Sequence, residues 1–193
     1  MKKFIKVDKI TDLDFLNMYQ ITYKKNGKYS TYNVASRRNL VDLECNSKGK
    51  VDAVRIVPYI IQDGNIQVVL IKEFRSAINK YIYSVPAGLV DGDEQCETSA
   101  IRELKEEIGA KVVSIVRTEK GSYSSAGMTD EKIECFEAEV ELAYQQELEE
   151  TEDITIQVVP LEEIIEFIDK NDFCIQSALM LKAFYYKKKL DNK

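Results

Sequence analysis

Glu103, Glu106 and Glu107 stand within the run Arg102-Glu103-Leu104-Lys105-Glu106-Glu107. In a helix, residues three and four apart share a face. At about 100° per residue the three carboxylates fall within roughly 100° of arc. Ile101, Leu104 and Ile108 then turn to a different, apolar side. Like charges this close repel, and a helix gains nothing from such crowding by itself. A hard divalent cation such as Mg²⁺ resolves it, taking oxygen ligands from a few carboxylates while keeping several waters. Glutamate-rich helical faces are also common as plain solvated surface, and the bare R-E-x-x-E-E run does not separate the two readings. Gly109 predicts the helix stop, and Asp93 predicts its N-cap. Upstream, Pro86-Ala87-Gly88 predicts a turn in which a main-chain carbonyl faces the same cation.

The surrounding residues separate the readings. Gly88, Glu94, Arg102-Glu103-Leu104, Glu106-Glu107 and Gly109-Ala110 fit the pattern G-x5-E-x7-R-E-U-x-E-E-x-G-U at every fixed position, with U aliphatic. This stretch resembles the Nudix box, the signature of the Nudix hydrolase family.

The elements that must position this stretch are mostly strands before it. Leu16 to Tyr23 and Tyr29 to Ala35 partly alternate, and Asn26-Gly27 between them is a hairpin signal. Val51 to Ile61 and Ile66 to Phe74 are apolar strands joined by the tight turn Asp63-Gly64-Asn65. Tyr81 to Val85 is a short strand leading into the box. After Gly109, Val112 to Arg117 reads as a strand, Gly121 to Asp130 as a small-residue loop, and Lys132 to Val140 and Ile154 to Val159 as further strands. Leu161 to Asp169 and Ile175 to Lys187 have helical periodicity. Mixed sheet between helices fits this order. The division expected is an N-terminal β-rich arm, residues 1–48, and a larger domain, residues 49–193.

Composition narrows the chemistry. The chain has 193 residues, 45% hydrophobic and 31% charged, with a formal net charge of −6. That balance argues against a general nucleic-acid or membrane-surface binder, which presents clustered positive charge. Histidine is absent, which excludes imidazole catalysis, including Ser-His-Asp and Cys-His arrangements. Carboxylates, lysines, tyrosines and metal-bound water remain for proton chemistry. Cys45, Cys96, Cys135 and Cys174 are widely spaced, so buried free thiols in a reducing compartment are expected rather than zinc or redox pairs. No apolar run approaches a membrane span of about 20 residues, and no apolar segment follows Met1-Lys2-Lys3. A cytoplasmic protein is expected.

The resemblance implies more. Nudix domains are α/β/α sandwiches, here expected as an α+β fold with a mixed sheet and an N-terminal β-hairpin subdomain. Val85-Pro86-Ala87-Gly88-Leu89-Val90 is similar to the ADP-ribose pyrophosphatase branch, and Lys72-Glu73-Phe74-Arg75 resembles a segment whose arginine lies beside substrate phosphates. Thr31-Tyr32-Asn33-Val34-Ala35-Ser36-Arg37 resembles a hairpin whose aromatic residue stacks on adenine, often across a homodimer. Glu150-Thr151-Glu152-Asp153-Ile154 resembles a segment whose first glutamate is proposed as the base and whose second binds metal.

The implied site therefore has Mg²⁺, with Mn²⁺ as an alternative, on Glu103, Glu106, Glu107, Glu152 and the Ala87 carbonyl. Glu150 and Glu106 serve catalysis; Tyr32, Arg37, Arg75 and Gly88 contact substrate; and Glu94, Arg102 and Gly109 brace the box. The implied reaction is hydrolysis of a nucleoside diphosphate linked to X, ADP-ribose giving AMP and ribose 5-phosphate. The alternatives are another nucleotide sugar, a dinucleoside polyphosphate, or a non-catalytic nucleotide sensor. Two departures from the branch bear on the substrate. Ser84 stands where glutamate is common, and Ala126-Gly127 stands where proline commonly precedes glycine.

Overall fold

The computed structural model describes residues 1–46 and 49–191. The chain divides into two compact units, Met1–Asp52 with Gly121–Ile133, and Ala53–Lys120 with Glu134–Lys193.

The first unit is built on an antiparallel meander of β1 (Lys3–Lys9), β2 (Asn17–Lys25) and β3 (Lys28–Ser36). Asn26 and Gly27 both have positive φ, 51° and 79°, the primed turn that matches strand twist. Tyr19, Val34 and Leu43 form its small core, with Val7 and Ile21 against them. A charged network supplements that core. Arg38 grips Asp52 with two nitrogens, Nε to Oδ1 at 2.8 Å and Nη2 to Oδ2 at 2.7 Å. Glu44 accepts bonds from Arg38, Lys132, Tyr123 and the Gly49 N–H. Burial pushes the Glu44 carboxyl up, but these four donors outweigh it and bring the pKa down to about 2.

The second unit carries β4 (Ala53–Gln62), β5 (Asn65–Arg75), β6 (Lys80–Ser84), β7 (Ala87–Leu89), α1 (Cys96–Ile108), all but the ends of β8 (Ala110–Tyr123) and β9 (Lys132–Leu142), which belong to the first, and β10 (Ile154–Pro160). A single 3-10 turn then leads into α2 (Ile164–Lys170) and α3 (Ile175–Asp191). The mixed sheet runs β10-β5-β4-β9-β8, with β6 beside β5 and β7 beside β4. Val68 to Ile71 are all essentially inaccessible, as strands covered on both faces must be. Val54, Ile56, Val69 and Ile71 pack with Ala100, Leu104 and Ile108 of α1. Val57, Val68 and Leu70 pack with Ile164, Ile168, Leu181 and Phe184 of α2 and α3. This is the expected α/β/α sandwich.

Several local expectations are corrected. Ala87–Leu89 is a strand rather than a turn, paired through Ala53↔Leu89, Val54↔Gly88 and Arg55↔Ala87. The Ile56 N–H to Pro86 carbonyl bond, 3.0 Å, extends that ladder and holds it open. The cap of α1 is Gln95, with no side-chain bond, and not Asp93. Gly92, at φ 50°, and the Glu94 N–H to Asp91 carbonyl bond close a turn that keeps Asp93 outside the helix. Ile101 is exposed, because Ala100 takes the buried place beside Leu104. β8 runs to Tyr123 and shortens the expected loop. Cys45 is exposed and the other three thiols are half-buried, all free.

Glu44 sets an acid limit on the first unit. Its folded pKa lies near 2, below the roughly 4.3 of an unfolded chain. Its contribution is therefore complete above that value and is lost as pH falls through about 2. Calorimetric melting at pH 7, 4, 3 and 2 is expected to show a falling Tm that Glu44→Gln largely removes. Parallel curves for the two proteins would contradict this.

Candidate active site

The site begins with the register of α1. Leu104 and Ile108 are buried against the sheet, and this draws the flanking Glu103 and Glu107 in with them, to 8% and 3% exposure. Their chemistry follows. Burial pushes the Glu103 carboxyl up, and the adjacent Arg102 charge opposes that. Burial beside Glu103 pushes Glu107 well above the ordinary carboxylate range, against one bond from the Ala87 N–H at 3.1 Å. Arg102 Nη1 bridges Glu103 at 2.7 Å and Glu106 at 2.9 Å. Its other amino group meets the Leu89 carbonyl and Glu94. Glu94 in turn accepts from Ser99 Oγ at 2.6 Å, which lowers its pKa. Arg102 and Glu94 thus lock the box stretch to the helix.

Gly109 ends α1 in the left-handed region, φ 60°. A Cβ there would sit 2.2 Å from the Tyr144 carbonyl oxygen, so only glycine lets the following acidic segment come this close. That segment is fastened to the helix end. The Gly109 carbonyl accepts from Ala143 and Tyr144, the Glu106 carbonyl from the Glu147 N–H, and the Glu107 carbonyl from Gln146 Nε2. Carbonyls that a helix terminus leaves unpaired are thereby satisfied. The result is a cavity of about 290 Å³ lined by Ala87, Gly88, Arg102, Glu103, Glu106 and, from the acidic segment, Glu152. Glu147 and Glu149 also reach it, whereas sequence reasoning singled out Glu150 and Glu152. Glu150 is exposed in a turn closed by the Glu149 N–H to Glu152 Oε2 bond, 2.9 Å, and does not line the cavity.

The remaining expected contacts lie elsewhere. Arg75, at the end of β5, is half-exposed and pairs with Glu73 at 2.8 Å. In the first unit, Tyr32 donates its hydroxyl to the Gly127 carbonyl and lines a cavity of about 340 Å³ with Ile21, Val34 and Tyr123. Arg37 pairs with Glu131 at 2.7 Å.

Glu73 itself escaped the sequence reading. It is 7% exposed, and burial raises its carboxyl against the charges of Arg75 and Arg55. The pairs Ile71↔Ser84 and Glu73↔Ile82 set it diagonal to Ser84. Ser84 shares a 2.9 Å bond with Ser177, and Arg55 Nη1 reaches Ser177 at 3.1 Å. A buried carboxyl thus stands beside Ser84 on the neighbouring strand. The signal for it was a glutamate one residue beyond four consecutive apolar positions, Val68 to Ile71.

A divalent cation suits these donors. Glu103, Glu106 and Glu152 are hard oxygen groups lining one cavity, and Glu107 is bonded to the Ala87 N–H of its wall; Glu103 and Glu107 are buried where a net negative charge is costly. Gly88 forms a cradle, because a Cβ there would fall 1.9 Å from the Glu103 carboxyl. Among the described residues no three acidic or thiol side chains stand close enough to enclose an ion as placed. The Arg102 guanidinium takes the position between Glu103 and Glu106.

Residues 50–179 match the NUDIX domain family. The chain belongs to the Nudix hydrolase family. An uncharacterized Nudix hydrolase of Schizosaccharomyces pombe is 33% identical over 142 residues, 69% of this chain and 69% of its own length. An ADP-ribose pyrophosphatase of Bacillus subtilis is 30% identical over 108 residues, 55% of this chain and 58% of its own. One of Saccharomyces cerevisiae is 30% identical over 142 residues, 71% and 58%. This Nudix chain therefore spans between 58% and 69% of the length of these relatives. A solved structure of an ADP compounds hydrolase has a TM-score of 0.76 and 22% identity, covering 97% of this chain and 95% of that one, a likeness of fold. Nudix hydrolases generally use divalent metals such as Mg²⁺. Among the described residues no helix is long and apolar enough to cross a membrane.

The Gly88 cradle is testable without substrate. Gly88→Ala puts a methyl where the Glu103 carboxyl lies, so that side-chain end must swing away from Arg102 and lose its bond, a cost of about 1 kcal/mol. For a chain of this size that is a Tm drop of roughly 2–4 °C. An unchanged calorimetric Tm would show that the carboxylate yields freely.

Proposed function

We propose that this Nudix hydrolase cleaves the pyrophosphate bond of a nucleoside diphosphate linked to another moiety, with ADP-ribose as substrate and AMP and ribose 5-phosphate as products. The observation that carries the reading is the cavity itself, where buried helix carboxylates and the acidic segment meet beside Ala87 and Gly88. The ADP-ribose pyrophosphatases among its relatives support the substrate.

Mg²⁺, or Mn²⁺, held by Glu103, Glu106, Glu107, Glu152 and the Ala87 carbonyl would neutralise the pyrophosphate oxygens and acidify a water. Glu150 is the proposed base that takes the proton of the attacking water. Glu150 lies in the turn that the Glu149 N–H to Glu152 Oε2 bond closes, and release of that bond would let its carboxylate come within hydrogen-bond reach of such a water. Arg75 and Arg37 would hold phosphate oxygens as fixed guanidinium forks. Tyr32 would stack on the base, and its cavity has the apolar wall that a nucleobase needs. Gly88 lets substrate approach the main chain beside Glu103. A homodimer in a cytoplasmic setting, with the arm 1–48 contributing contacts, belongs to the same proposal. Its support is the exposed apolar character of Phe4, Ile5, Met18 and Tyr29 on the β1–β3 sheet.

A substrate panel tests the reading. ADP-ribose, GDP-mannose and a dinucleoside polyphosphate are offered with Mg²⁺, and phosphate is read after phosphatase coupling. ADP-ribose is expected to give the highest kcat/KM. Preference for another member would move the substrate but keep the chemistry. No turnover, together with a raised Tm on ADP-ribose, would replace hydrolysis by sensing.

Substitutions divide the roles. Glu106→Gln or Glu107→Gln is expected to lower kcat by at least about 10²-fold, the loss of several kcal/mol of metal stabilisation. Glu150→Gln is expected to lower kcat with Mg²⁺ affinity unchanged, whereas Glu152→Gln lowers both. If Glu149→Gln rather than Glu150→Gln abolishes turnover, the base is misassigned.

A further inference from the structure

Helix α3 is apolar on two opposite sides. Ser177, Leu181 and Phe184 face the core of the second unit. At about 100° per residue, Ile175, Leu179, Tyr186 and Leu190 lie within roughly 60° of arc on the far side, with Ala183 beside them. These four are 70%, 61%, 59% and 70% exposed. A helix that borders solvent ordinarily carries charge on that side. Here every lysine of the helix is drawn to its own chain. Lys182 pairs with Asp169 at 3.5 Å, Lys187 with Glu137 at 2.8 Å, and Lys189 with Glu162. Lys188 lies over the rings of Tyr59 and Phe184. The apolar stripe is left uncovered and electrically neutral.

We infer that this stripe is a two-fold contact surface for a second copy of the same chain, with the two α3 helices antiparallel and crossing near Lys182–Ala183. The order of residues selects that occupant. A twofold interface requires that if residue i meets residue j, then j meets i. The stripe reads the same from both ends: Ile175 falls opposite Leu190 of the partner and Leu179 opposite Tyr186 of the partner, about a midpoint between Lys182 and Ala183. Small Ala183 at the crossing lets the backbones approach, while large apolar residues fill either end. Leu179, Ala183, Tyr186 and Leu190 follow the 4-3-4 spacing of a helix–helix seam, and Ile175 extends it by one turn. Because Lys182, Lys187 and Lys189 are already neutralised within each chain, bringing the helices together does not oppose bare cations.

The stripe runs about 22 Å along the axis. Burying its exposed part twice removes on the order of 1,000 Å², the lower bound for a specific contact. The association is therefore reversible on dilution rather than obligate. It is independent of the arm contacts proposed above and of the substrate.

The full chain is compared with Leu179→Glu/Leu190→Glu by sedimentation from about 1 to 200 µM. The wild type is expected to rise with concentration to about twice the mass of the variant, with both proteins melting at the same temperature. Equal masses at every concentration would overturn the proposal, whether both were monomers or both assembled through another surface. Ala183→Cys in a Cys45→Ser background supplies the second measurement. In this register residue 183 falls opposite Lys182 of the partner subunit and within one residue of its own copy, and mild oxidation is expected to give a disulfide-linked dimer on a non-reducing gel. Concentration-dependent association without that crosslink would overturn the antiparallel register.

Discussion

The structure depends on placing two carboxylates, Glu103 and Glu107, on the shoulder of an apolar helix face pressed against a sheet. Leu104, Ala100 and Ile108 supply the burial that carries them in. The unfavourable part of that arrangement is electrostatic, since a buried carboxylate lacks the solvation it has in water. Arg102 relieves it for Glu103 and Glu106, and one main-chain N–H relieves it in part for Glu107. The helix is therefore held with its charge incompletely compensated, an arrangement that favours any further cation reaching the cavity. Stability and readiness to bind are opposed here, and the hydrophobic contacts of α1 hold the balance.

The rest of the second unit can be understood as keeping that helix end in contact with the acidic segment. The three carbonyls of Glu106, Glu107 and Gly109 would be unpaired at an ordinary helix terminus. They instead take their donors from residues 143–147. The same bonds that finish the helix therefore deliver Glu147, Glu149 and Glu152 to the cavity. Gly109 permits this at a position where any side chain would strike the Tyr144 carbonyl. A glycine that reads in the sequence as a stop signal is, in space, the point of closest approach between two parts of the site.

What the sequence reveals follows the range of each interaction. Short-range signals were legible: Asn26-Gly27 and Asp63-Gly64 became left-handed turns joining paired strands, and the spacing of Leu104 and Ile108 gave the buried face of α1. Apolar runs and periodicity indicated a mixed sheet with helices, the sandwich was implied by the family resemblance, and the strand order β10-β5-β4-β9-β8, set by long-range pairing, was not legible. Asp93 failed as a cap because Gly92 closes a turn ahead of it, a competition between two local motifs that composition does not rank. Pro86-Ala87-Gly88 failed as a turn because β4 offers the stretch a ladder from Ala53, Val54 and Arg55, 32 to 36 positions upstream. The joining of Gly121–Ile133 with the N-terminal arm rests on Glu44, Asp52, Tyr123 and Lys132, whose mutual pairing no spacing rule announces.

The buried group at Ser84 shows why a residue is better judged by the charge its surroundings need than by its position in a motif. Ser84 is inaccessible, and as a hydroxyl it cannot neutralise Arg55. Arg55 nevertheless lies in the sheet, with Nη1 on Ser177. A guanidinium half-buried in that setting favours a nearby anion. Glu73 meets the requirement from the adjacent strand, and the same carboxylate also holds Arg75 at 2.8 Å. A glutamate at position 84 would add a second acid beside Glu73 and raise the repulsion already felt by Glu107. Serine at 84 and glutamate at 73 are therefore two halves of one electrostatic solution, and neither is interpretable without the other.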